Sequence, residues 1–210
     1  MRVPLKPLKL ISIAVIVLGL GALLVIMKAR RAPRSMSEAL RKMEQYQQRG
    51  RHDEAISLGK EWVAKHPQNG SNDQVFERIA LLYLEKAKKD DRNRDTYVSE
   101  AIEYRDKMLP IALDDALGWY SMSALLDSAL LSEDAGDLAA SQRCVQYKTA
   151  LRLLDRLEYS LHDKQERFSS AAGSTKDAFG YTFDDVQRVR KRSEAATSRI
   201  RGKQEAAGCQ

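Results

Sequence analysis

Histidine and cysteine are scarce in this chain, three and two in 210 residues. His52, His66 and His162 have neither an HExxH spacing nor any paired-ligand spacing, and Cys144 and Cys209 form no CxxC. The sequence therefore offers no metal-ligand cluster. Eleven glycines fall at turns and in an apolar N-terminal run, without a P-loop, a GxGxxG fingerprint or a GxSxG elbow. The acid pairs Asp90-Asp91, Asp114-Asp115 and Asp184-Asp185 lie in loops or at helix starts, where capping and the helix dipole account for them. These absences point away from an enzyme and imply no cofactor. Alternating β-branched runs and hairpin dipeptides are missing too, so the expected fold class is all-α.

A basic surface for nucleic acid is also missing, although the net charge is +6. Seven of the 35 basic residues and none of the 29 acids fall in residues 1–34: Arg2, Lys6, Lys9, Lys28, Arg30, Arg31 and Arg34. The remaining chain holds 28 basic and 29 acidic residues and is close to neutral. That distribution gives no DNA or RNA footprint. It places the cations around Leu10–Met27, a run of eighteen residues without a charge. As a helix this run spans roughly 27 Å, close to a bilayer's hydrocarbon thickness. It reads as a single-pass signal-anchor in contact with membrane lipid, because a helix pairs its own backbone groups in lipid. A cleaved signal peptide would need a small-residue site after the run, and Met27-Lys28-Ala29-Arg30-Arg31 stands there instead. Gly19 and Gly21 lack GxxxG spacing. Counting flanking cations favours, by a narrow margin, a cytoplasmic C-terminal part.

The organisation expected is an anchor with basic flanks at 1–34, a helical domain at 35–168, a Ser/Ala/Gly-rich linker at 169–180 and a charged C-terminal helix or tail at 181–210. Pro33 breaks the chain, and Ser35 or Ser37 can cap the next helix. Helices are expected over about Ser37–Arg49, ending at Gly50, and Asp53–Lys65, ending at His66-Pro67. Further helices should cover about Asn72–Lys88, Thr96–Met108, Asp115–Ser132 and Asp137–Phe168, with a turn at Glu133–Gly136. Cys144 reads as a buried thiol and Cys209 as part of a frayed tail, with a bridge between them in an oxidising compartment as the alternative. Thr182 and Asp185 can cap a last helix, about Asp184–Lys203. Its few apolar positions, Phe183, Val186, Val189, Ala196 and Ile200, read as those of a solvated helix. Contact with anionic lipid or an acidic partner is the sharper alternative.

A repeat runs through the helical part. Ala39, Lys42, Met43 and Tyr46 stand at offsets 0, 3, 4 and 7. So do Phe76, Ile79, Ala80 and Tyr83, and again Trp119, Met122, Ser123 and Leu126. The intervening helices pair a small residue with a large one seven on: Ala55 and Trp62, Ala101 and Met108, Ala140 and Tyr147. A small residue lets two helices approach, and the large one fills the space beside it.

Gly50-Arg51-His52-Asp53-Glu54-Ala55-Ile56, then Trp62, then His66-Pro67-Gln68-Asn69, resembles the second half of a tetratricopeptide (TPR) repeat. Phe76, Ile79, Ala80 and Tyr83 resemble the first half of the next. The resemblance is good over residues 36–88 and weaker over 96–158. It implies a stack of antiparallel helix pairs, a TPR-like α-solenoid, whose concave face takes a protein or peptide partner. On that face it places Arg41, Glu44, Gln47, Gln48, Glu77, Arg78 and Leu81 as partner-binding residues. By analogy it implies a scaffold for protein–protein interaction in the bacterial inner membrane, serving envelope assembly or quality control. A non-repeat helical bundle is the alternative fold. Ala140, Cys144, Tyr147, Leu151, Leu154 and Leu161 form an apolar seam. It reads as a cap over the last repeat, or else as the contact of a membrane-tethered homo-oligomer.

Overall fold

The computed structural model describes residues 33–67, 69, 72–112, 119–170 and 182–209. Leu10–Met27 lies outside the described residues, and no helix among them is long and apolar enough to cross a membrane. The described residues form seven α-helices and no strand, an all-α fold. They are α1 (Met36–Gln48), α2 (His52–Lys65), α3 (Asn72–Lys89), α4 (Arg94–Ala112), α5 (Trp119–Leu138), α6 (Arg143–Ser170) and α7 (Phe183–Ala206).

Each helix packs on the next in sequence, and α1, α3, α5 and α7 also touch in order, forming a continuous row. The arrangement is helical-repeat-like. Local chemistry sets several of the boundaries. The Ser35 side chain accepts the Glu38 N–H at 3.2 Å and caps α1. Gly50 takes φ +71° after α1, the left-handed conformation in which a Cβ is costly. Helix α2 begins at His52, one residue before the expected Asp53, and Asp53 pairs with Lys86 of α3 at 2.5 Å. At the far end of α2, His66 stacks on Trp62 with ring centroids 3.9 Å apart.

Two apolar cores share α5. The first joins Ala39, Met43, Ala55, Trp62, Ile79, Tyr83 and Met108 to Leu131, Ala135 and Ala139. The second joins Met122, Leu125, Leu126 and Ala129 to Tyr147, Leu154 and Leu161 of α6 and Val186, Ala196 and Ile200 of α7. Helix α5 is buried on opposite faces, which explains its lack of a polar stripe. A buried arginine ties the middle helices together. Arg105 of α4 donates to Ser132 Oγ of α5 at 2.8 Å and to Gln146 Oε1 of α6 at 2.6 Å.

Several sequence expectations need correction. Pro110 lies inside α4, which runs on to Ala112. Its missing N–H and its ring act on the Asp106 carbonyl one turn back, and Asp106 and Pro110 are both exposed, so water can reach that carbonyl. The turn expected at Glu133–Gly136 is helix. A Cβ on Gly136 would come within 2.7 Å of the Tyr147 ring, so this glycine serves close packing of α5 on α6. Ala140 is exposed, and Ala139 is the buried residue. Ser169 and Ser170 are helical, and 171–180 of the expected linker lies outside the described residues.

The last helix is not solvated. Val186, Val189, Ser193, Ala196 and Ile200 are buried, although Phe183 stays exposed. Thr182 and Asp185 form the expected capping box. The Glu133 carboxylate, 4% exposed, accepts two hydrogen bonds from Arg199 at 2.6 Å and one from Lys203 at 2.7 Å. These cations hold its pKa below the usual value against the desolvation that would raise it. Lys203 also meets Asp137 at 2.5 Å, and Asp137 accepts the Tyr147 hydroxyl at 2.7 Å. Cys144 and Cys209 are joined in a disulfide, with Cα atoms 5.3 Å apart. The cysteines are therefore neither a buried thiol nor part of a loose tail. The bridge fastens the end of α7 to the start of α6.

Gly136→Val forces a branched side chain against the Tyr147 ring. Overpacking of this kind costs about 1–3 kcal/mol. The expected outcome is a lower midpoint in urea unfolding; an unchanged midpoint would contradict the close approach of α5 and α6.

Candidate functional site

The row of α1, α3 and α5 carries a concave cleft of about 370 Å³. Leu40 comes from α1, and Asp73, Gln74, Glu77, Arg78 and Leu81 come from α3. Met108 enters from α4, and Ser123, Ala124 and Asp127 from α5. Helical periodicity builds the α3 wall. Asp73, Glu77 and Leu81 stand four apart on one stripe, with Gln74 and Arg78 beside them.

Three of the sequence-predicted residues, Glu77, Arg78 and Leu81, line the cleft. Gln47 sits beside it. Its side chain accepts from Arg78 at 3.0 Å and donates to Glu85 at 2.6 Å, which fixes one face of the Arg78 guanidinium. Arg41, Glu44 and Gln48 are outside the lining. On α1 the cleft edge is set by Leu40, and Arg41 lies one residue on, about 100° further round the helix. Gln48 reaches back to Glu44, at 3.5 Å.

The lining residues missed by sequence reasoning are Leu40, Asp73, Gln74, Met108, Ser123, Ala124 and Asp127. Asp73 looks like an ordinary acid in the first turn of a helix. Asp127 carried a usable signal: it is the single charged residue between Trp119 and Ser132. A lone acid in an apolar helix faces a cost unless the fold gives it a polar or functional setting.

Electrostatically the cleft is acidic and partly desolvated. Burial pushes Glu77 up to about 7, helped by Asp127 and Asp73 and opposed by Arg78 and Arg192. Burial likewise raises Asp127 to about 6, with Asp73 adding and Arg192 opposing. Asp73 is raised by burial and lowered by backbone N–H groups at its own turn. The carboxylates do not converge on one point. Among the described residues no three His, Cys, Asp or Glu side chains are placed to hold a metal ion. The arrangement suits an extended group with positive charge and apolar length.

No family model, curated protein or solved structure matches the chain.

The raised carboxyl of Glu77 makes stability depend on pH. A folded-state pKa near 7, above the ordinary 4.5, gives stability that is full below about pH 4.5 and lost as pH rises through 7. Glu77→Gln is expected to flatten this decline and to melt above the native chain at pH 8, by circular dichroism. A variant that melts lower at pH 8 would contradict the desolvation of Glu77.

Proposed function

We propose that the protein is a single-pass membrane-anchored, TPR-like scaffold that binds another protein at the membrane surface. The observation that carries this reading is the concave cleft along α1, α3 and α5, with walls from four helices. A stack of helix pairs presents such a face without further machinery. The apolar run Leu10–Met27 and its cationic flanks supply the tether.

The Cys144–Cys209 bridge bears on the side of the membrane. Structural disulfides persist in oxidising compartments and are rare in the cytosol. This outweighs the narrow margin in flanking cations, and we place the helical domain on the extracytoplasmic face. In a bacterial inner membrane that is the periplasmic side, where envelope assembly and quality control supply the partners. The alternative of self-association through the 140–161 seam loses support. Tyr147, Leu154 and Leu161 are already buried in the chain's own second core.

A photo-crosslinking residue at Leu81, in the full chain in its native membrane, is expected to capture a discrete partner. Gln74→Trp, which fills the cleft from the α3 wall without changing its charge, should abolish that capture while leaving the melting midpoint within a few degrees. No crosslinked product from Leu81, with efficient capture from the exposed Tyr159 of α6, would contradict a binding cleft on this row.

A further inference from the structure

The charge pattern of the cleft narrows the chemistry of its occupant; the inference rests on the scaffold reading. Asp73 is 6% exposed, and its Oδ1 has no hydrogen-bond partner. A first-turn acid can be explained by the helix dipole, since α3 begins one residue earlier. The dipole explains the charge at that position. It does not explain an oxygen taken out of water and left unmatched, which is costly unless a donor meets it. Such a group, lining a cavity, points to a donor that arrives from outside.

Two more carboxylates line the same cavity, Glu77 from α3 and Asp127 from α5. The cations that bear on them are Arg78 on α3 and Arg192 on α7. Arg78 donates one N–H to Gln47, and Arg192 is exposed. Neither provides Asp73 Oδ1 with a partner. Between the carboxylates the walls are apolar: Leu40, Leu81, Met108 and Ala124. A metal ion would need convergent oxygens, and these are spread around the cavity. A long side chain with methylenes and a terminal cation fits both features at once.

We propose that the cleft receives an arginine or lysine side chain from the partner protein, with Asp73, Glu77 and Asp127 accepting its N–H groups and Leu40, Leu81 and Met108 enclosing its methylenes. The partner segment is thus basic, with the cation set among apolar residues. Protonation of Glu77 and Asp127 removes two of the three charges, so binding weakens as pH falls. Asp73, Arg78 and Arg192 are the other ionisable groups that act on these two. With those two carboxylates neutral, the cations Arg78 and Arg192 repel the occupant and add to the loss.

The test uses the full chain in lipid nanodiscs with methyl-labelled methionine and leucine. The probe is n-butylguanidinium, with n-butyrate as the control of opposite charge. Saturable shifts of the Met108 and Leu81 methyls with the guanidinium alone are expected at pH 8. The apparent affinity should weaken by about tenfold or more in Glu77→Gln/Asp127→Asn, as expected for loss of charged hydrogen bonds. Unperturbed Leu154 and Leu161 methyls show that the variant is folded. If it is not, the native chain at pH 5 supplies the same comparison, and binding there should also be weaker by about tenfold. No shift at these methyls, equal shifts with butyrate, or affinity unchanged by both the variant and low pH would overturn the proposal. Failure here together with a discrete crosslink from Leu81 would remove the cationic occupant and leave the scaffold standing. Absence of both would remove the scaffold as well.

Discussion

Glu133 is a charge with almost no access to water, and the C-terminal half of the fold is organised around answering it. Its two oxygens are met by Arg199 and Lys203, nearly seventy residues further along the chain. A carboxylate taken out of water is costly unless cations meet it, and both of its cations stand on α7. The pair therefore dictates where α7 must lie. Lys203 extends the contact to Asp137, and the Tyr147 hydroxyl joins it from α6. The disulfide at Cys144 holds the end of the same helix a few residues away. With α7 fixed, Val186, Ala196 and Ile200 cover the second core. Helix α5 is then supported on both faces, and α5 supplies one wall of the cleft. The C-terminal clamp and the candidate binding surface are two ends of one packing problem.

The cleft itself departs from what a stable core would choose. Asp73, Glu77 and Asp127 are drawn toward low dielectric without a matched set of cations, and their raised pKa values record that cost. The buried charges nearer the middle and end of the fold are matched, Arg105 by Asp106 with Ser132 and Gln146 beside it, and Glu133 by its two cations. This contrast between satisfied charges and an unsatisfied cavity is what supports the proposed binding role. Local inconsistency that the rest of the fold tolerates is characteristic of functional surfaces.

Helix number and most boundaries were legible in the sequence, because caps and breakers act locally. Ser35, Gly50 and the Thr182–Asp185 box behave as their chemistry dictates. The repeat stations Met43, Ile79, Tyr83 and Met122 are buried, as apolar spacing on one face requires. The features hidden from sequence reading depend on partners far along the chain. Gly136 reads as a turn until the Tyr147 ring is seen lying against it. Val186 and Ile200 look too sparse to bury, because two salt bridges and a disulfide complete what apolar area alone does not. The cleft was half legible. Glu77, Arg78 and Leu81 lie on one helical face, whereas Asp127 joins them only through the packing of α5 on α3. Arg41 and Gln48 share the spacing of the groove face but lie past its edge.

The proposed tethered scaffold in an oxidising compartment rests on closure by its own last helix through the Cys144–Cys209 bridge. Peptide mapping of the full chain taken from native membranes, with free thiols blocked during lysis and without reductant, tests it most directly. The account expects the peptides carrying Cys144 and Cys209 to be recovered linked to each other. Recovery of both cysteines as blocked free thiols would contradict the extracytoplasmic placement and the covalent closure of α7 together.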